Sequence, residues 1–446
     1  MNKDSAKFRP LGEIAEIGLS SIDKKTTPGE NPVRLCNYTD VYKNWAITVE
    51  MYSGLMCASA SDREIERFRI RRGQVAITKD SETKDDIGIS TYVADSIDDV
   101  VLGYHCALIT PNENVIDGKY LNAFLHSRTA KKQLENQASG SGQRFTLTED
   151  AIKSIQVLVP SDIAYQRRIG NLFSIIDRKI RTNNSIIFEL EMMARVVFDY
   201  WFMQFDYPDS TGKPYRQNNG TMVWNDELEM EIPEGWVVES VDDSLSIQRG
   251  VSYESGDIES PDGMPMINLN SFNEGGGYKP KGIKYYSGSA GEDKRLQVGD
   301  LCMCVTQQTD IDLSGEKNVI GQVIMCPDLG RYDITFSMDV VRLDCEHDYQ
   351  RSFYYQLFAQ AHAHKYVALR ANGTKIKHLN VEDALKMKYA KPPTEYFKKY
   401  DSVAAALFSE VNQLMNQNRE LVSLRDFLLP LLTSGQITIE SENAIE

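Results

Sequence analysis

Two stretches of the chain concentrate cations beside a glycine. Residues 127–147 carry Arg128, Lys131, Lys132 and Arg144 around Gly140 and Gln143, against one acid, Glu135. Residues 365–377 carry Lys365, Arg370, Lys375 and Lys377 around Gly373, with no acid. Laid over one another, Gly140 falls on Gly373, Lys132 on Lys365 and Arg144 on Lys377. Cations in a loop can neutralise phosphates, and a glycine lets backbone approach a phosphodiester chain closely. A second pair of polar runs accompanies them, Thr78-Lys79-Asp80-Ser81 and Thr306-Gln307-Gln308-Thr309. Thr78, Lys79, Gln307 and Gln308 are side chains of the types that reach base edges in a groove or hold phosphates. Taken singly, each stretch reads equally well as a solvated loop or a polar strand end; the matched placement favours a ligand.

Catalytic chemistry finds little support. The sequence has no Walker-type phosphate loop, and Gly140-Ser141-Gly142-Gln143-Arg144-Phe145 lacks the third glycine of a dinucleotide loop. No Asn-Pro-Pro-aromatic or Asp-Pro-Pro-aromatic tetrapeptide for amino-group methylation occurs; Lys391-Pro392-Pro393-Thr394 fails at both ends. The acids are scattered, as on a solvated surface. Seven cysteines without a Cys-x-x-Cys, and only six histidines, argue against a zinc site and for reduced, buried thiols. The expectation is therefore no catalytic and no metal-binding residue. The formal charge of −15 opposes nucleic-acid binding only at long range, because a binding face needs local cation excess alone. No apolar run approaches the ~20 residues of a membrane span, and the opening MNKDSAKFRP lacks the apolar region of a signal peptide. A cytoplasmic protein without membrane association is expected.

The elements that must position these loops are organised by two heptad patterns. Ile169, Ile176, Asn183, Leu190 and Val197 fall at one apolar place of the heptad, and Phe173, Ile180, Ile187, Ala194 and Trp201 at the other; Asn183 alone is polar. A stripe at that spacing needs a partner helix. Residues 394–436 provide one, with Tyr400, Leu407, Leu414, Leu421 and Leu428 at one place and Val403, Glu410, Gln417, Leu424 and Leu431 at the other. Val411, one place on, offers an apolar alternative in the polar middle. This helix is expected to stop near Pro430, which has no N–H to donate.

The rest of the chain repeats. Ile87-Gly88 falls on Ile320-Gly321, Glu149-Asp150-Ala151 on Glu382-Asp383-Ala384 and Pro160 on Pro393, while Arg72-Gly73-Gln74 matches Val298-Gly299-Asp300. Strands are expected at 74–78, 100–110 and 155–159, a short helix over 120–135 and a loop over 139–143. The organisation read from this is a mixed α and β domain over 1–160 and a long helix over 161–206, capped by Ser161 or Asp162. A surface linker over 207–235, a second domain over 236–393, a second long helix over 394–436 and an acidic tail over 437–446 follow.

The wording between and after the domains is specific. Val197-Phe198-Asp199-Tyr200-Trp201-Phe202, Phe205-Asp206-Tyr207-Pro208, Gly212-Lys213-Pro214-Tyr215, Trp224-Asn225 and Ile232-Pro233-Glu234-Gly235-Trp236 resemble the central conserved region of the specificity subunits of type I restriction-modification enzymes. Leu424-Arg425-Asp426-Phe427-Leu428-Leu429-Pro430-Leu431-Leu432-Thr433-Ser434-Gly435 resembles their C-terminal conserved region. The resemblance covers essentially the whole chain. It implies an α+β fold in which two similar mixed α/β target-recognition domains are separated by two long antiparallel coiled-coil helices, a pseudo-twofold internal repeat.

It further implies a non-catalytic DNA-recognition subunit whose domains each read one half of a bipartite site in double-stranded DNA. The helices would set the spacer and dock two modification subunits, joined by restriction subunits. S-adenosylmethionine, ATP and Mg would be used by those partners, with no cofactor in this chain. A helix from Ile169 to Trp201 is about 50 Å long at ~1.5 Å per residue, more than one duplex turn. The residues read for DNA from the basic stretches and polar runs are Thr78, Lys79, Lys132, Gln143, Arg144, Gln307, Gln308, Lys365, Arg370, Lys375 and Lys377. Those read from the heptads for the coiled coil and subunit interface are Ile169, Phe173, Ile176, Ile180, Ile187, Leu190, Leu407, Leu414, Leu421 and Leu428. The rival readings are a stand-alone methyltransferase or nuclease, and a protein that binds modification subunits without binding DNA.

Overall fold

The computed structural model describes residues 6–141, 144–258, 262–308, 311 and 317–439. The chain divides into two compact units, 1–182 with 418–446, and 183–417.

In the first unit the apolar strand Val75–Thr78, buried on both faces, sits at the centre of a five-stranded sheet. Its neighbours are Cys106–Pro111 and Ser90–Val93, with Ala15–Leu19 and Ala46–Ile47 at the edges. Cys106 pairs with Thr78 and Ile109 with Val75, antiparallel. The apolar run over 100–110 is two strands rather than the one expected. Val100–Leu102 joins a different, three-stranded sheet, and Cys106–Pro111 joins the central one. A turn closes between them, the Cys106 N–H donating to Gly103 O. The helix expected over 120–135 is likewise two, Gly118–Leu125 and Arg128–Gln137. Ser127 causes the break, since its side chain accepts the Ala130 N–H as the N-cap of the second helix.

The second unit repeats this order. Its four-stranded sheet runs Leu245–Arg249, Val340–Cys345, Leu301–Cys304, Val323–Met325, and the helix pair Arg351–Phe358 and Ala361–Ala368 stands where the first unit has its pair. The matched glycines share conformation and surroundings. Gly88 and Gly321 both have φ of +78°, and a Cβ there would meet Leu134 Cδ1 at 2.8 Å and Val367 Cγ1 at 2.7 Å, respectively. The segment read as a surface linker is folded into the unit. It carries a hairpin, Met222–Asn225 with Met230–Pro233, and Tyr207 stacks on Tyr215 and Trp236 with centroids 4.8 and 5.3 Å away.

The first long helix spans Ile163–Phe198 and continues as one π turn, Asp199–Met203. Asp162 is its cap, accepting the Ala164 N–H at 2.8 Å. All ten heptad places read from the sequence are buried or half-buried. Ile169, Phe173 and Ile176 enter the first unit's core with Leu429 and Leu432 of the second helix, while Ile180, Leu421 and Leu428 pack against it. Ile187 and Leu190 are half-buried in the second unit. There the helices run antiparallel, Asn183 meeting Gln417 and Ala194 meeting Tyr400.

The second long helix, Thr394–Thr433, differs from expectation twice. Leu407, Leu414, Leu421 and Leu428 are on its covered face, but Val403, Glu410, Gln417 and Leu424 are exposed. The covered residues alternating with the leucines lie one place on, at Ala404, Val411, Asn418, Arg425 and Leu432, so the spacing from Tyr400 runs four then three. The helix also passes through Pro430 instead of stopping there. It ends where Gly435 takes φ of +71° and the Gln436 N–H closes on Leu431 O.

Candidate nucleic-acid interface

Each unit carries a small three-stranded sheet holding the basic hairpin. In the first, Ser139–Ser141 pairs with Arg144–Thr146, which pairs with Asp80–Ser81. In the second, Ala371–Asn372 pairs with Lys377–Leu379, which pairs with Thr306–Gln307. Gly140 and Gly373 have φ of +143° and +129°, and a Cβ would meet Arg144 O at 2.2 Å and Ile376 O at 2.0 Å. Only glycine suits so close a crossing.

The second hairpin is one residue shorter. The Leu147 N–H donates to Lys79 O as the Leu379 N–H donates to Val305 O, and Thr148 and Asn380 cap the helices that follow. In space, therefore, Arg144 corresponds to Ile376 and not to Lys377, and Asp80 corresponds to Thr306.

Among the residues expected at DNA, Lys132, Arg144, Gln308, Lys365 and Lys375 are exposed. Others turn inward. Thr78 is fully buried, its hydroxyl accepting the Ile89 N–H at 3.0 Å. Gln307 is 1 % exposed and accepts the N–H groups of Val319 and Ile320 at 2.9 and 3.3 Å. Both brace the backbone near the matched glycines Gly88 and Gly321 rather than facing a ligand. Arg370 is half-buried, its guanidinium donating to Tyr366 O and Asp383 O and lying 3.2 Å from the Tyr366 ring centroid, so it ties together the helices on either side of the hairpin. Lys377 Nζ donates to Gly373 O at 2.8 Å within its own hairpin. Gln143 lies outside the described residues.

Lys79 belongs to a cluster of which only Lys79 and Arg144 were expected from the sequence. The turn after Val100–Leu102 brings Tyr104 and His105 against the small sheet. His105 Nδ1–H donates to Asp80 Oδ2 at 2.8 Å. Lys79 Nζ lies 3.6 Å from the same oxygen and 4.5 Å from the Tyr104 ring centroid. Arg144 Nη2 lies 3.7 Å from Asp80 Oδ2 and 3.4 Å from His105 Nδ1, with its side chain 62 % exposed. Burial pushes the Asp80 carboxyl up, but hydrogen bonds from His105 and Thr146 and the charges of Lys79 and Arg144 outweigh it and hold it below the usual carboxylate range. The result is an ionised, nearly buried acid beside an equally buried Lys79, whose side chain is 11 % exposed, with Arg144 alone of the two cations reaching the surface. In the second unit Thr306 Oγ1 lies 3.4 Å from His378 Nδ1 at the corresponding place.

Each unit thus carries a glycine-pinched basic hairpin on the same kind of small sheet. Residues 3–192 match the family described as the type I restriction modification DNA specificity domain. Over 98 % of its length the chain is 22 % identical to the type I restriction enzyme MjaIX specificity subunit of Methanocaldococcus jannaschii, covering 94 % of that protein. It is also 22 % identical, over 82 % of its length and 87 % of the relative's, to the HindI specificity subunit of Haemophilus influenzae. The S subunit of a type I restriction-modification system from M. genitalium has the same fold, with a TM-score of 0.56 at 12 % identity over 99 % of this chain and 98 % of that one. Residues 3–192 thus match that DNA specificity domain family, and the chain is similar along nearly its whole length to specificity subunits of type I restriction-modification systems. Among its described residues no helix is long and apolar enough to cross a membrane.

Proposed function

We propose that each unit reads one half of a bipartite site in double-stranded DNA, and that the two long helices set the spacer between the halves. The observation that carries this is the recurrence, on the same small sheet in both units, of a glycine-pinched hairpin with exposed cations beside it: Lys132 and Arg144 in one, Lys365 and Lys375 in the other. The chain performs no catalysis itself. Two modification subunits supply adenine methylation with S-adenosylmethionine, and restriction subunits supply ATP- and Mg-dependent cleavage, in the cytoplasm. Matched exposed apolar pairs on the helices support two docking sites: Met193 and Val196 on the first, Leu424 and Phe427 on the second.

The test is DNA binding across a salt series with the exposed Lys365→Ala and Lys375→Ala combined. Loss of affinity on all duplexes, with the logarithmic salt slope shallower by about 1 to 2, is expected. Unchanged affinity and slope would favour a protein that binds the modification subunits and leaves DNA alone.

A further inference from the structure

The two reading surfaces are built with unlike chemistry at one corresponding place. The first unit has Arg144 held against Asp80, and the second has Ile376 and Thr306 there. An arginine recruited only to neutralise phosphate needs no acid beside it, since the acid cancels the charge that attracts the backbone. Arg144 nevertheless lies 3.7 Å from a carboxylate whose side chain is 11 % exposed, itself fixed by His105 at 2.8 Å. The carboxylate restrains the Nη2 end, while most of the side chain is presented outward. What such a restraint gains is direction. A guanidinium fork that is oriented in advance can donate two parallel hydrogen bonds, and in the major groove the edge with two adjacent acceptors is guanine, at O6 and N7. Lys79, on the Tyr104 ring with its side chain only 11 % exposed, stays behind the guanidinium as part of its support. Adenine and cytosine both present an amino donor there, which the exposed guanidinium, having no acceptor, cannot satisfy.

We infer that Arg144 reads a guanine in the half-site of the first unit, with Asp80 and His105 as positioning residues. The inference rests on the DNA-reading function proposed above. Ile376, 48 % exposed at the corresponding place of the second unit, has no donor for a base edge, so that half-site lacks the equivalent guanine contact.

The experiment selects duplexes from a random library with the full chain assembled with modification subunits, using wild type, Arg144→Gln and Asp80→Asn. Wild type should recover two half-sites, and Arg144→Gln should lose the preference for guanine at one position of one half-site, leaving the other half-site unchanged. Replacing that guanine by 7-deazaguanine, which lacks the N7 acceptor, should weaken wild type roughly five- to hundredfold and leave Arg144→Gln indifferent. Asp80→Asn, which keeps the guanidinium, should relax the same position. Uniform weakening of Arg144→Gln on every duplex with a shallower salt slope would assign Arg144 to phosphate and overturn the inference, as would an unchanged recovered site. Retained guanine preference in Asp80→Asn would remove the positioning role. Should that buried change unfold the protein, the exposed Arg144→Gln and the modified base still decide. A wild-type chain that selects no sequence at all would instead overturn the proposed function.

Discussion

Asn183 Nδ2 donates to Gln417 Oε1 at 3.0 Å, joining the two long helices within the second unit. Asn183 is fully buried and holds the one polar place of an otherwise apolar seam, while Gln417 is exposed. A buried amide in such a seam is satisfied only in the register that brings its partner opposite, so it disfavours slippage at a cost in stability. Gln417→Ala, which takes a partner from the buried Asn183 amide, should cost about 1–3 kcal/mol in chemical denaturation, and Asn183→Ala, which leaves only the exposed Gln417 for water to satisfy, about 0.5–1.5 kcal/mol. The double variant should show a coupling of at least ~0.5 kcal/mol. Strict additivity would mean that this bond does not lock the register.

The same seam shows what could be read from the residues and what could not. The first helix was legible because a 3.5-residue period fixes which side chains face inward whatever they pack against. The second helix was misplaced by one position because four-then-three spacing from Tyr400 selects Ala404 and Val411, whereas three-then-four selects Val403 and Glu410, and the leucines suit both. The basic hairpins were legible by charge, matched glycines and duplication. Thr78 and Gln307 were misjudged because a polar side chain at a strand end can turn inward to a backbone N–H as readily as outward. Asp80 stood in the polar run without a role of its own, and Tyr104 and His105 went unnoticed, since nothing local announces that the apolar run 100–110 splits between two sheets at Gly103. The one signal available was that glycine inside a strand pattern.

Gly373 should not tolerate a side chain. Its φ is +129°, and Ile376 O lies only 2.0 Å from where a Cβ would stand, so Gly373→Ala must open the hairpin. The strain amounts to about 1–3 kcal/mol. Amide exchange should quicken across 371–379 with the rest of the unit unaffected, and the basic loop should bind DNA more weakly. Unaltered protection in that hairpin would show that glycine is dispensable there.

Thiol chemistry should single out Cys57. It is exposed, whereas Cys36, Cys106, Cys302, Cys304 and Cys326 are buried. Burial raises the Cys106 and Cys304 thiols to about 12, so the nucleophilic thiolate is scarce there at ordinary pH. Under native conditions at pH 8, a brief alkylation read by mass spectrometry should modify Cys57 first, with the buried thiols reacting only on unfolding. Equally fast labelling of Cys302 or Cys304 would contradict the packing of that strand.

His126 should make the first unit acid-sensitive. Its ring stacks on Trp45 with centroids 4.5 Å apart, and Nε2–H donates to Ser90 O at 2.8 Å. Burial, with lesser contributions from Lys131 and Arg425, lowers its pKa to about 4. The unfolded chain, with an ordinary value near ~6.5, takes up a proton that the folded form refuses between those two values. Stability from this group is therefore complete above pH ~6.5 and declines as pH falls toward 4, by on the order of 3 kcal/mol if the unit unfolds as one. His126→Phe keeps an aromatic ring against Trp45 and removes the titration. Its unfolding free energy should lie below wild type at pH 7, where the Ser90 hydrogen bond is lost, and depend less steeply on pH between 6.5 and 4. Parallel pH profiles for the two proteins would show that His126 takes up its proton without disturbing the fold.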